Sequence, residues 1–161
     1  MEKTTTIGMD LGDKKNQICV LDAEGKILEE ASIVNTRAGL EKFFKGREPA
    51  VVAMEVGTHS PWISRALSEW GHEPLIGNAH KLRAIWDSPN KNDQRDAELL
   101  ARIGRFDRKR LHPIAHRGAD VQIDLAVVKA RDILVKTRTK LMTHARSVVM
   151  SLGHRLPKCS Q

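Results

Sequence analysis

The stretch KNDQRDAELLARIGRF, residues 91–106, reads as a helix with two aspartates, Asp93 and Asp96, in its opening turn, and the fold is decided by what those acids are for. Residues three apart share one face of a helix, so both carboxylates point the same way. Two explanations fit that spacing. An aspartate followed three residues later by an acid makes a serviceable N-cap, with both charges favourable to the helix dipole. The same pair also suits two oxygen ligands of one hard divalent cation. The pair alone leaves both open.

Upstream, TTTIGMDLG (residues 4–12) and NQICVLD (16–22) are two β-branched or apolar runs separated by the polar Asp13-Lys14-Lys15, and they predict two paired strands. The turn AEGK leads into ILEEASIVN, a third strand, which makes a meander of three. Asn35-Thr36 is positioned to cap a helix over RAGLEKFFKG, with Leu40, Phe43 and Phe44 on one face. AVVAMEVG is a nearly continuous apolar run, as in a strand covered on both sides, and it ends at Glu55 and Gly57. Ser60-Pro61 predicts a capped start for the helix WISRALSEWG, and EPLIGNA predicts a last strand. HKLRAIWDSPNKN is polar, expected to be part-helical, and broken by Pro89.

Downstream the composition changes. The chain has 161 residues, and through residue 100 it holds 13 basic and 16 acidic ones, against 14 and 4 beyond it. Basic density of that kind is the electrostatic footprint of a phosphate-rich partner, although a solvated helix surface is the simpler alternative. Residues 105–118 read as a basic connector. From Asp120 to Leu152 there is no proline or glycine, and apolar pairs recur every seven residues at Val127/Val128, Leu134/Val135, Leu141/Met142 and Val148/Val149. One long amphipathic helix over 119–152 is predicted, a coiled-coil candidate for self-association, with Arg131 and Arg138 where a strict zipper would want leucine. Arg131, Lys136, Arg138, Lys140 and Arg146 on that helix, together with Lys91, are the candidate nucleic-acid contacts. Residues 153–161 form a tail.

Other signals are weak. Cys19 and Cys159 show no C-x-x-C spacing, so neither a disulfide framework nor a zinc site is expected. His112 and His116 are separated by Pro113 and have no third ligand nearby, while His59 follows Glu55 closely enough to approach it. No signal peptide opens the chain and no run approaches the ~18 apolar residues of a membrane span, which gives a cytoplasmic expectation.

Three strands, a helix, a buried strand ending in glutamate, a helix, a strand and an acidic helix make up the element order of the ribonuclease H-like α/β fold, a mixed sheet with flanking helices. In that fold acids lie on the first strand, near the end of the fourth, and on a late helix. Here those positions are Asp10, Glu55, and the pair Asp93 and Asp96. Converging carboxylates repel and raise one another's pKa unless cations lie between them. Two Mg²⁺ ions ~3.5–4 Å apart hold the attacking and leaving oxygens of an in-line phosphoryl displacement.

IGMDLGDKKNQICVLD, VVAMEVGTHSPWISRAL, KNDQRDAELLARIGR and the basic RDILVKTRTKLMTHARSVVMSLGHRLPKCS resemble the N-terminal part of the DEDD transposases of the IS110 group of bacterial insertion sequences. The resemblance implies a RuvC-like domain over 1–104 whose catalytic and metal-binding acids are Asp10, Glu55, Asp93 and Asp96, with Mg²⁺ as cofactor and Mn²⁺ as a substitute. It also implies donor and target DNA and a structured guide (bridge) RNA as partners, assembly as a dimer or higher homo-oligomer through the long helix, no membrane, and a nucleoid-associated bacterial setting. Members of the family continue into a second domain that supplies a serine nucleophile. The sequence to Gln161 holds no such domain and Ser160 is no substitute, so a truncated or decayed fragment unable to complete recombination alone is expected. Two rivals are a non-catalytic nucleic-acid-binding and dimerisation module, and a sugar-kinase or actin-like ATPase domain, whose phosphate loop IGMDLG resembles.

Overall fold

A computed structural model describes residues 5–78 and 92–157 of the protein. Those residues contain five strands, β1 (Thr6–Leu11), β2 (Lys15–Leu21), β3 (Ile27–Val34), β4 (Val51–Glu55) and β5 (Glu73–Gly77). They also contain the helices α1 (Arg37–Phe44), α2 (Ser60–Glu69), α3 (Asp93–Phe106) and α4 (Ala119–Ser151), with a 3-10 turn over Arg108–Leu111. The part-helical expectation over HKLRAIWDSPNK lies outside the described residues. The chain divides into two compact units, Met1–His116 and Arg117–Gln161.

In the first unit the strands form one sheet in the order β3-β2-β1-β4-β5. β2 runs antiparallel to β1 and to β3, while β1, β4 and β5 are parallel. This mixed sheet with helices on both faces is the ribonuclease H-like architecture. Two short turns suffice for the meander because Asp22 closes the second: its Oδ1 accepts from the Glu24 and Lys26 amides at 2.9 and 2.8 Å, and Gly25 supplies a φ of +83°.

The two-residue period of the strands sorts their side chains to two cores. Ile7, Met9, Ile18, Val20, Val52, Met54 and Ile76 turn to one face, where Leu40 and Phe44 of α1 and Ile63 and Leu67 of α2 bury them. Cys19, Leu21, Val51, Ala53 and Leu75 turn to the other, against Ala97, Leu100 and Ala101 of α3. β4 is apolar on both faces for this reason, as a continuous hydrophobic run predicts.

α3 lies unusually close to the sheet because small residues face each other. A Cβ on Gly8 of β1 would stand 1.9 Å from the Ala97 carbonyl oxygen and 2.4 Å from the Ala101 nitrogen; one on Gly104 would stand 2.8 Å from the Ala53 Cβ. These contacts fix the direction of α3. Its C-terminal Gly104 lies near Thr6 and Ala53, its middle lies over Gly8, and its first turn therefore points toward the C-terminal ends of β1 and β4.

Part of the segment read as a connector is packed on the first unit. Leu111 is buried with Val51, Ala53 and Leu75, and Ile114 bridges Ile76 in antiparallel sense, its amide donating to the Ile76 carbonyl at 2.9 Å. The second unit is dominated by α4, a 33-residue helix none of whose residues is buried. Among the described residues no helix is long and apolar enough to cross a membrane.

Candidate functional site

Asp10 and Glu55 are brought level by strand pairing. β1 and β4 are neighbours in parallel register through Met9↔Met54, so the next residue on each strand is Asp10 and Glu55. Period two places Asp10 on the face of Gly8, and Glu55 on the face of Val51 and Ala53, which is the face covered by α3. Between β1 and β4 the chain order reverses, and such a point at the carboxyl ends of strands is where open α/β sheets leave a crevice.

The third and fourth acids arrive on α3. Asp93, Asp96, Ala97, Leu100, Ala101 and Gly104 recur at helical spacing, and the last four are buried against the sheet. The same stripe extended backward carries Asp93 and Asp96 to the crevice end. The capping explanation for Asp93 is not what the helix uses: Asn92 is the N-cap, its side-chain oxygen accepting from the Gln94 amide at 3.1 Å. Gln94 ties the same turn to the sheet, donating from Nε2 to the Ile18 carbonyl and to Glu30, each at 3.1 Å.

The electrostatic consequence falls on Asp10. Its carboxyl is raised from an ordinary 3.8 to about 6, first by burial and then by the negative charges of Asp93, Asp96 and Glu55. An amide hydrogen bond from Leu11 opposes the shift without cancelling it. Four acids thus share one field around a half-buried carboxylate, an arrangement that costs stability unless positive charge enters it.

The oxygen-only donor set and its negative charge fit a hard divalent cation. The approach of the side chains is looser than a closed site: among the described residues no three His, Cys, Asp or Glu side chains converge as a metal cage. Field and geometry differ here because like charges act over longer distances than coordination bonds span.

Neighbouring residues frame the crevice. His59, in the loop after Glu55, has Nε2 3.9 Å from Asp13 Oδ1, and its Nδ1 accepts from Trp62 Nε1 at 3.4 Å. Asp13 was legible only as a polar break between strands, and nothing in the sequence pairs it with His59. Ser60 is a correction to the expected cap. It is the first residue of α2 rather than the N-cap, which is His59 and makes no side-chain capping bond. The buried Ser60 hydroxyl accepts from the Gly57 amide at 3.0 Å and lies 2.9 Å from both the Gly57 carbonyl and His116 Nε2. Burial, then the charge of Arg65, holds the His116 imidazole below its usual pKa.

The candidate nucleic-acid residues are differently placed. Lys91 lies outside the described residues. Arg131, Lys136, Arg138, Lys140 and Arg146 are all exposed on α4, but they do not form one stripe. At ~100° per residue, Arg131 and Arg138 fall between the two apolar rows Val127/Leu134/Leu141/Val148 and Val128/Val135/Met142/Val149. Lys136 and Lys140 lie roughly half a turn away, beside Lys129. Lys136 is paired with Asp132 at 2.6 Å.

Comparison with known proteins bears on all of this. A family model for DEDD transposases of the IS110 type, described as a transposase, matches residues 7–153. The chain is 28% identical over 158 residues to the transposase for insertion sequence element IS1328 of Yersinia enterocolitica, covering 98% of this chain and 46% of that protein. It is 30% identical over 154 residues to a putative transposase, y4pF/y4sB, of Sinorhizobium fredii, covering 95% and 38%. It is 26% identical over 158 residues to the transposase for insertion sequence element IS1111A of Coxiella burnetii, covering 95% and 41%. The chain therefore spans less than half the length of these curated relatives.

Proposed function

Because the chain belongs to the DEDD transposase family of the IS110 group, we propose that its first unit is the metal-dependent part of a DNA transposase, with Asp10, Glu55, Asp93 and Asp96 as the ligands of Mg²⁺. The observation that carries this is the Asp10 carboxyl held at about 6 by burial and by the other three acids. When bound, the cation supplies Lewis-acid stabilisation of charge on a phosphate oxygen and lowers the pKa of an attacking water or hydroxyl. The chain's own residues do the positioning. The β1–β4 register sets Asp10 beside Glu55, and the Gly8–Ala97 contact sets the height of α3 above them. Asn92 and Gln94 hold the turn that presents Asp93 and Asp96.

On this reading the substrates are donor and target DNA of an insertion sequence, and a structured guide RNA directs the exchange. α4 assembles the protein as a dimer or larger homo-oligomer through its seven-residue apolar rows, and its lysine face meets phosphates. On the family's plan these acids act together with a serine nucleophile carried by a second domain. Nucleoid association follows from DNA as the substrate.

One observation favours a second reading, a binding and dimerisation module without chemistry: no three described acids converge as a metal cage. A cation titration separates the two. Wild type, Asp10→Ala and Asp93→Ala are unfolded thermally in EDTA and in increasing Mg²⁺ or Mn²⁺. The metal reading expects a concentration-dependent rise in Tm for wild type that both variants lose. Equal responses in all three proteins would remove it.

A further inference from the structure

Phe106, the last residue of α3, is 71% exposed, whereas every other described Phe and Trp is buried or half-buried. Its ring is nonetheless held in place. Phe106 Cζ lies 3.2 Å from where a Cβ on Gly25 would stand, so the ring rests on the β2–β3 turn in a contact that a side chain there would tighten, and the φ of +83° at Gly25 favours glycine. Arg102 closes one side, its Nη1 donating to the Gly25 carbonyl at 3.3 Å. Beside the ring is a recess of about 330 Å³ lined by Arg102, Ile103, Phe106, Asp107 and Arg110. That is the size of a small-ligand site, with one aromatic ring and two arginines in its lining.

We propose that this recess is a stacking platform for an unpaired base of single-stranded nucleic acid, with Phe106 as the stacking surface and the surrounding cations as the phosphate contacts. The proposal rests on the nucleic-acid reading of the protein and adds a site away from the acids. Charge selects the occupant. From Arg102 to Arg110 there are five basic residues, Arg102, Arg105, Arg108, Lys109 and Arg110, and one acid, Asp107; Arg102 also pairs with Glu98 at 2.7 Å and Arg108 with Glu73 at 2.9 Å, partly exposed pairs that a phosphate can displace. A protein surface covering the ring would have to supply a carboxylate for every cation it desolvated, since an unpaired buried charge is costly. A nucleic-acid strand meets them with phosphates while a base takes the ring. The existing pair between Arg110 and Asp107, 3.2 Å apart, has an arginine side chain 70% exposed, so it is weak enough to be exchanged for a phosphate. Duplex DNA offers no free base face, which makes the unpaired strand the specific partner.

The platform is at the opposite end of α3 from Asp93, about 20 Å away at 1.5 Å per residue. A stacked strand rising about 3.4 Å per nucleotide covers that distance in about six nucleotides. Twelve-nucleotide single-stranded RNA and DNA and a twelve-base-pair duplex are therefore adequate probes. Their binding to the full chain is measured by fluorescence anisotropy for wild type, Phe106→Ala and Phe106→Trp, with Tm and light scattering as controls. Phe106→Ala is expected to weaken single-strand binding about tenfold or more and to leave duplex affinity and its salt slope unchanged. Phe106→Trp is expected to retain single-strand binding, with indole emission quenched beyond the wild-type change. A loss confined to RNA or to DNA supports the platform and names its strand. Equal single-strand binding by wild type and Phe106→Ala overturns the proposal while leaving the nucleic-acid reading intact. A change in oligomer mass in Phe106→Ala overturns it in favour of a second copy on the ring. A wild type that binds no probe removes both.

Discussion

Gly8 of β1 and Ala97 of α3 meet backbone to backbone, so close that a methyl group on Gly8 would stand 1.9 Å from the Ala97 carbonyl oxygen. No side-chain rotation relieves that contact, because both partners are main chain or nearly so. Gly8→Ala must lift α3 off the sheet. The expected cost is at least ~2 kcal/mol in urea unfolding. The proposed cation response is expected to vanish with it, since Asp93 and Asp96 ride on the displaced helix. Gly8→Ala with wild-type stability and metal response would show that α3 does not set the geometry of the acids. Gly104→Ala meets only the Ala53 Cβ, at 2.8 Å, and pairing it with Ala53→Gly is expected to restore most of the loss.

The raised Asp10 carboxyl gives a pH signature with a definite sign. In the unfolded chain Asp10 ionises at its ordinary 3.8, whereas in the folded chain it holds its proton to about 6. Between those values the native state binds more protons than the unfolded one, so stability falls as pH rises from about 4 to 6 and stays lower above. Asp10→Asn removes the effect. In EDTA at pH 7 the variant is expected to be the more stable protein, by about 1 kcal/mol once solvent screening of a half-exposed group is discounted. The difference between the two proteins should disappear near pH 3.5. Parallel pH profiles for wild type and Asp10→Asn would mean that the four acids do not share a field.

Asn92 supplies a separate handle on the same turn. Its oxygen caps α3, so Asn92→Ala is expected to lose about 1 kcal/mol in thermal or urea unfolding. Asp93→Asn keeps that cap and removes a charge that raises the Asp10 pKa, so in EDTA it is expected to stabilise rather than destabilise. Destabilisation by Asp93→Asn would mean that its favourable charge at the helix N-terminus outweighs its repulsion with Asp10.

Legibility in the sequence followed the range of the interactions concerned. The strands and α3 were legible because period two and period 3.6 are local properties, and β4 announced itself by being apolar on both faces. Asp10, Glu55, Asp93 and Asp96 stand out in the sequence by element order and by resemblance, and their common field depends on the β1–β4 register, which no local pattern fixes. Ser60 was misplaced at the cap because its hydroxyl is claimed by Gly57 and by His116, a residue 56 positions away. Asn92 and Asp93 are equally good caps by type, and only backbone geometry chose between them. The basic residues of α4 were counted together, yet the helical angle between Arg138 and Lys140 puts them on different faces.

That difference in face leads to a test of assembly. Leu134 and Leu141, 70% and 65% exposed, lie in one apolar row of α4, and two such rows flank Arg131 and Arg138. Burial of a leucine side chain is worth about 1.5–3 kcal/mol, so a row of them exposed along a 33-residue helix is a strong drive to associate. Leu134→Asp with Leu141→Asp is expected to halve the mass or more in light scattering. An unchanged mass would take self-association away from this helix.

The same geometry separates two kinds of cation on α4. Lys129, Lys136 and Lys140 project away from Arg131 and Arg138, and phosphate contacts are expected from the lysine face because it remains open when the apolar rows are covered. Each neutralised phosphate contributes a slope of about −0.9 in log K against log salt on duplex DNA. Replacing all three lysines by alanine is therefore expected to flatten the slope by up to roughly 2–3 and to leave the oligomer mass intact. Replacing Arg131 and Arg138 by alanine should do the reverse, changing mass or stability of the assembly with less effect on the slope. Lys136 is already paired with Asp132 and is the lysine from which the smallest single effect is expected, since the acid must be displaced before a phosphate is bound. Anisotropy titrations of a duplex from 50 to 200 mM salt, a range chosen on the order of that used to resolve such slopes, measure both sets. An identical slope in wild type and the triple-lysine variant would move the phosphate contacts off this helix face altogether.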